Sequence, residues 1–159
     1  MKPELVVVGT DGPQTEDGHR IVAGVDGSAS SLEALRWAVR QAELTGSSVD
    51  AVIAWQPPAA SGLEWSVAMA DDTDYAELAA KTVADAISMA ADPASRVKVR
   101  PMVGEGNAAQ VLLDASAGAD LLVVGSRGHG GFASALLGSV SLHCTHHAHC
   151  PVVVIRDGR

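Results

Sequence analysis

The sequence predicts an α/β domain in which a parallel sheet is covered by helices on both faces. Short apolar segments typical of strands alternate with segments of helical periodicity, and this alternation implies right-handed crossovers between parallel strands. One predicted strand, Leu121–Val124, is entirely apolar, as expected of a strand buried on both faces. The length of 159 residues suits a single domain.

The predicted core begins with a strand at Ile21–Val25 and a helix over about residues 31–44. Ser30 and Glu33 have the spacing of a capping box, and Gly46 suits the C-terminal stop of this helix. Its apolar face follows the helical repeat at Leu32, Leu35, Val39 and Ala42.

A second strand is predicted at Val49–Trp55, and a second helix follows a long connection and covers about residues 74–91. The third strand, Arg96–Val103, alternates charged and apolar residues, which is typical of a half-exposed strand. One side of the second helix carries Tyr75, Leu78, Thr82, Ala86 and Met89.

The remaining elements flank the apolar strand at Leu121–Val124. A helix is predicted from Asn107, a cap-like residue, to about residue 117. A last helix covers about Ser139–His147, and Val152–Ile155 is the final strand.

We assign residues 1–19 to an N-terminal extension and residues 20–156 to the core domain. Leu5–Val8 could form a short strand, but residues 9–20 are polar and rich in turn formers. The composition therefore favours a poorly ordered tail over an added strand.

The composition argues against several classes of partner and against a secreted or membrane-spanning protein. The formal charge of −8 disfavours binding to nucleic acid, which needs a basic stripe, and to an anionic membrane surface. No apolar run approaches transmembrane length, and the first ten residues lack the apolar core of a signal peptide. Cys144 and Cys150 form neither a CxxC pair nor a disulfide framework. We therefore expect a cytoplasmic protein.

A run of glycines directly follows the apolar strand, at Gly125, Gly128, Gly130 and Gly131. Such a run can wrap its N–H groups around an anion. Ser139, after Gly138, lies near the start of a helix, where the first amides and the dipole favour negative charge. The pattern indicates a phosphate-binding corner, with a simple tight turn as the alternative. No Walker Gly-Lys-Ser/Thr occurs, and no G-x-G-x-x-G follows the first core strand.

The spacing Gly125-x2-Gly128-x9-Gly138-Ser139 resembles the nucleotide-binding signature of the universal stress protein family, G-x2-G-x9-G-[S/T]. The segments IVAGVDGSASSLEALRWAVRQA, DAVIAWQPP and HHAHCPVVVIR resemble the family's opening strand and helix, second strand and closing elements. The resemblance, to the ATP-binding subgroup, implies a flavodoxin-like or Rossmann-like three-layer sandwich with a five-stranded parallel sheet of order 3-2-1-4-5. Ligands then bind at the switch point between the first and fourth strands.

The resemblance further implies an ATP-binding stress-response or signalling module. Backbone groups around Ala54 would contact the adenine edge. Asp26 would contact the nucleoside through ribose hydroxyls or an amine, and a carboxylate there can also hold Mg²⁺. The alternative for Asp26 is a turn-forming residue before Gly27. The candidate nucleotide-binding residues are Gly24, Val25, Asp26, Gly125, Ser126, Arg127, Gly128, Gly130, Gly131, Gly138, Ser139 and Val140.

The glycine loop contains no lysine, because the lysines of the chain are Lys2, Lys81 and Lys98. Phosphate charge would be met by backbone N–H groups, the helix start, a metal ion such as Mg²⁺, or Arg127. Arg127 either clamps a phosphate or faces solvent. His129 either donates to phosphate or points into water, and we favour water.

Two other functional classes stay open. The first is a weak ATPase in which Asp26 activates water through Mg²⁺. The second is a binder of another adenine nucleotide such as cyclic AMP, which some family members prefer. No nucleophile elbow or His-containing triad is present, so we assign no catalytic residue.

Two features near the C-terminus complete the expectations. His143, His146, His147 and Cys150 could share a helix face and bind zinc, but they run into Pro151, and structural zinc usually draws its ligand pairs from separated segments. We assign no metal ligand. The resemblance also implies a homodimer through the last strand, where Val152, Val153 and Val154 form an apolar edge that should not remain exposed.

Overall fold

The computed structural model describes residues 6–7, 18–57, 74–129 and 137–156. The described strands are β1 (Val6–Val7), β2 (Arg20–Gly24), β3 (Ser48–Trp55), β4 (Val99–Glu105), β5 (Leu121–Gly125) and β6 (Val152–Ile155). The described helices are α1 (Ala29–Thr45), α2 (Tyr75–Ala90), α3 (Ala108–Ala115) and α4 (Ser139–His147).

The strands form one parallel sheet in the order β1-β4-β3-β2-β5-β6. Counted from β2, the five core strands have the predicted order 3-2-1-4-5. The topological switch point lies at β2, which pairs with β3 on one side and with β5 on the other. The carboxyl ends of β2 and β5 are therefore adjacent.

Helices cover both faces of the sheet, which confirms the predicted three-layer sandwich. Alternate residues of β2 serve the two layers, since Ile21 and Ala23 pack in the core beneath α1 and α2, whereas Val22 packs in the core beneath α3 and α4. Within the described residues, no helix is both long enough and apolar enough to cross a membrane.

The N-terminal segment adds a strand where the composition favoured none. Val6 and Val7 pair with Met102 and Val103, so β1 extends the sheet at the β4 edge. The preference against an added strand is corrected at these two residues, because an unpaired β4 edge offers backbone groups to any extended apolar segment. The other residues of 1–17 lie outside the described residues.

The start of α1 corrects the predicted capping box at Ser30 and Glu33. The N-cap is Ser28, whose Oγ accepts the N–H of Ser31 at 3.2 Å, and Glu33 instead pairs with Arg36. At the other end, Gly46 adopts φ of 71°, as predicted for the C-terminal stop. Because Ser28, Ser30 and Ser31 are all suitable N-cap residues, the sequence placed the helix start two residues too late.

Helix α2 buries a different side from the one that the apolar pattern marks. Leu78 and Met89 are 55% and 58% exposed, whereas Ala79 and Val83 are buried. Of the marked residues, Ala86 is buried. Small alanines facing inward allow the helix to lie close to the sheet, where it contacts β3 and β4.

Charged side chains are buried at the amino end of the sheet, opposite the carboxyl ends of β2 and β5. Asp50 is fully buried, and it accepts from Arg20 at 3.1 Å and from Arg100 at 2.7 Å. Arg20 also donates to the carbonyls of Ala115 and Ala117. The charges on three neighbouring strands are thereby paired, as burial requires.

Candidate functional site

A cavity of about 530 Å³ lies at the carboxyl ends of β2 and β5. Its wall includes most of the residues predicted from the sequence, namely Gly24, Val25, Asp26, Gly125, Arg127, Gly128, Gly138, Ser139 and Val140, together with Ala54. Of the other three, Gly130 and Gly131 lie outside the described residues. The third, Ser126, is buried and does not border the cavity.

Ser126 joins the glycine loop to its surroundings. Its N–H donates to the carbonyl of Ile155 at 2.7 Å, and its carbonyl accepts the N–H of Gly138 at 2.7 Å. Ser141 also donates to that carbonyl, at 3.2 Å. Both backbone groups of Ser126 are therefore engaged within the protein, and they fix the base of the loop against β6 and the start of α4.

Asp26 lies two residues beyond the end of β2, where it both forms a turn and borders the cavity. Oδ1 accepts the N–H of Ser28 at 2.8 Å, which is the turn-forming bond considered as the alternative. The same residue borders the cavity. A Cβ built on Gly128 would lie 2.6 Å from Oδ2, so this oxygen faces the glycine loop.

The start of α4 differs from the starts of the other described helices. Ser28, Asp74 and Asn107 cap α1, α2 and α3 with side-chain oxygens. Helix α4 begins after Gly138, and within the described residues no side chain caps it. Its first two residues, Ser139 and Val140, border the cavity. An uncapped helix start facing a cavity has N–H groups and a dipole suited to an anion.

One part of the cavity wall, here called the apolar slot, is formed by residues that were not identified from the sequence. Val52 on β3, Leu112 on α3 and Val124 on β5 are buried and border the cavity. An apolar slot next to a few polar groups suits a flat aromatic ring. The other bordering residues missed by sequence reasoning are Ser31, Ala108, Leu137 and Ser141. Ser31, Leu137 and Ser141 lie within five residues of predicted site residues, whereas Ala108 on α3 reaches the wall through tertiary packing.

Arg127 and His129 are the basic residues of the cavity wall within the described part of the chain. Both are exposed. His129 borders the cavity as well as solvent, and its Nε2 would lie 3.5 Å from a Cβ built on Gly27.

The histidines near the C-terminus lie on the surface. His143, His146 and His147 are exposed, and the ring centroids of His143 and His147 are 4.4 Å apart. Cys150 lies beyond the end of α4. Among the described residues, no group of three or more His, Cys, Asp or Glu side chains could hold a metal ion.

Burial raises the pKa of the Cys144 thiol, which packs in the core, to about 11.

Comparisons of the sequence with known proteins point to one family. The sequence model described as the universal stress protein family matches residues 18–156. A universal stress protein of Mycobacterium tuberculosis is 36% identical over 144 residues, which cover 86% of this chain and 47% of that protein. The chain thus spans about half the length of the curated relatives that it matches.

Solved structures share the fold. A universal stress protein in complex with cAMP has a TM-score of 0.59 and 24% identity, covering 89% of this chain and 98% of that chain. A universal stress protein family protein from Arabidopsis thaliana with AMP bound has a TM-score of 0.57 and 19% identity, covering 88% of this chain and 92% of that chain. At these identities the likeness concerns the fold.

Proposed function

This chain belongs to the universal stress protein family, and we propose that it is a stress-response or signalling module that binds ATP at the carboxyl ends of β2 and β5. The proposal assigns nucleotide binding to residues 20–156, with residues 1–19 as an N-terminal extension. A cytoplasmic location is part of the proposal, and so is the absence of a nucleic-acid partner, which the formal charge of −8 supports.

The observation that carries the proposal is the meeting of three features at one cavity. These features are the carboxylate of Asp26, the loop from Gly125 to Gly128, and the uncapped start of α4 at Ser139. Between them they supply a hydrogen-bond acceptor for a ribose and N–H donors for phosphates. The apolar slot at Val52 and Leu112 suits an adenine ring. Relatives solved with cAMP and with AMP support the choice of an adenine nucleotide.

The residues present fit ATP better with a divalent cation than without one. Arg127 is the cavity's arginine, and the described wall contains no lysine. Mg²⁺ carried by the phosphates would offset the remaining negative charge, and Asp26 is the residue of the described wall whose carboxylate could help to hold it. The described wall holds one carboxylate, that of Asp26, so hydrolysis would be slow at most.

We test the proposal by calorimetric titration of nucleotide-stripped protein with ATP, ADP and cyclic AMP, each with and without Mg²⁺. We expect ATP to bind tightest and each lost phosphate to weaken binding by about tenfold, because charge-assisted hydrogen bonds are lost. If cyclic AMP binds more tightly than ATP, the ligand of this site is cyclic AMP and not ATP. Failure of all three to bind would contradict the proposal. Phosphate release during the ATP titration measures the weak ATPase alternative.

We further propose a homodimer through β6. In the described sheet, β6 pairs with β5 on one side, and the side chains of Val152–Ile155 are only partly buried. An exposed apolar edge invites pairing with a second strand.

A further inference from the structure

We propose that Ser31, which lies outside the glycine signature, is the positioning residue that holds Asp26 for the ligand. In this arrangement Oδ2 of Asp26 is the oxygen that contacts the nucleoside. The inference rests on the proposed function, because it assigns roles to single atoms within the same site.

Ser31 is connected to Asp26 and Ser28 by a closed set of hydrogen bonds. Its Oγ accepts the backbone N–H of Asp26 at 3.2 Å and donates to the carbonyl of Ser28 at 3.0 Å. Its own N–H donates to Oγ of Ser28 at 3.2 Å. Ser31 is 5% exposed, so its hydroxyl has both donor and acceptor roles filled inside the protein.

The two carboxylate oxygens of Asp26 have different surroundings. In a capping box, the side chain three residues after the N-cap accepts the N–H of the N-cap residue. Here Oδ1 of Asp26 takes that N–H from Ser28, at 2.8 Å, while the hydroxyl of Ser31 binds elsewhere. Oδ1 is therefore committed to the turn. Oδ2 faces Gly128 at the cavity.

Loss of the hydroxyl should release this arrangement. An alanine at position 31 leaves the N–H of Asp26 without its partner, whereas the carbonyl of Ser28 keeps the N–H of Leu32 at 3.1 Å. The backbone at Asp26 can then shift, and Oδ2 moves with it relative to the cavity, although Oδ1 keeps its bond to the N–H of Ser28. Both Ser31 and Asp26 border the cavity, so the effect reaches the ligand directly.

The experiment compares ATP affinities of wild type, Ser31→Ala, Ser31→Thr and Ser30→Ala by calorimetry. Ser30 is a matched control, because it is 3% exposed, bonds only weakly to the carbonyl of Ile155 at 3.5 Å, and does not border the cavity. We expect Ser31→Ala to weaken binding about tenfold, the value of one lost hydrogen bond. Ser30→Ala and Ser31→Thr, which keeps the hydroxyl, should stay within about twofold of wild type.

A double-mutant cycle with Asp26→Ala separates positioning from a merely structural role. If Ser31 acts through Asp26, Ser31→Ala has no further effect in the Asp26→Ala background. Losses that add, or a Ser31→Ala protein that binds as wild type does, overturn the inference alone. Wild type that binds no adenine nucleotide overturns the proposed function and this inference together. If urea denaturation shows that Ser31→Ala does not fold, Ser31→Cys, of similar size but a weak donor, takes its place.

Discussion

Gly125, Gly128 and Gly138 belong to one motif, but a Cβ added at each of them would meet different neighbours. A Cβ on Gly125 would lie 2.9 Å from the backbone carbon of Ser30, and one on Gly128 would meet Asp26. Gly138 has φ of −72° and ψ of 166°, which any residue adopts, and its nearest neighbour would be 3.4 Å away. Gly125 therefore permits β5 to pack against α1, whereas Gly138 has no comparable structural reason.

We expect alanine at these positions to separate folding from binding. Gly125→Ala should lower the free energy of unfolding by about 1–3 kcal/mol, because the backbone at Ser30 must shift. Gly138→Ala should change it by less than about 0.5 kcal/mol. Under the proposed function, Gly138→Ala should weaken ATP binding about tenfold, since its methyl would lie 3.7 Å from the amide nitrogen of Gly128.

Urea denaturation and calorimetric titration of both variants measure the two effects. A Gly138→Ala protein as unstable as Gly125→Ala would contradict the structural part. A Gly138→Ala protein with wild-type ATP affinity would contradict the assignment of Gly138 to the phosphate site.

At the scale of elements, Asp120 joins the starts of β2 and β5. Its N–H donates to the carbonyl of Arg20 at 2.9 Å, and its Oδ2 accepts the N–H of Arg20 at 2.7 Å. Nδ1 of His19 lies 3.3 Å from Oδ1. The hydrogen bond from Arg20, followed by that of His19, lowers the pKa of Asp120 below its usual 3.8.

We expect the contribution of Asp120 to the free energy of unfolding to depend on pH. Because the folded-state pKa is depressed, this contribution is fully present above pH 3.8 and is lost as the pH falls through the lower folded-state pKa. Urea midpoints of wild type and Asp120→Asn should therefore differ at pH 7, and the difference should shrink below pH 3.8. A difference that is constant across this range would show that the carboxylate charge does not matter.

At the scale of the whole molecule, the two ends of the parallel sheet differ in structure. The amino end holds the buried ion pairs of Asp50, and the carboxyl end holds the cavity. The proposed dimer concerns a third region, the edge at β6. Pro151 and Ile155 direct their carbonyls to β5, so the backbone groups of Val152 and Val154 point to the outer edge.

We expect wild type to sediment as a dimer at micromolar concentration and Val154→Pro to sediment as a monomer. Proline removes an outward N–H without touching the bonds to β5. Val154→Thr is the matched control, because it has a similar shape and keeps the N–H. A monomeric wild type, or a Val154→Pro protein that remains dimeric, would rule out pairing through β6.

The sequence by itself determined the order of the elements, the layered fold and the position of the glycine loop. These features depend on local signals. Apolar runs mark strands such as β5, helical spacing at Leu35 and Val39 marks α1, and the glycine spacing marks the loop at the end of β5. The family resemblance then supplied the strand order, which adjacent residues do not encode.

Only the tertiary structure decided which residues meet across the chain. Arg20 and Asp50 are 30 residues apart, and their pairing follows from strand register. Leu112 reaches the cavity because α3 packs against the sheet beside β2 and β3. The inward side of α2 was likewise set by its contacts with β3 and β4, whereas the hydroxyl of Ser31 bonds only to residues three and five positions away. Periodicity reports which residues can be buried, but packing and hydrogen-bond partners decide which are.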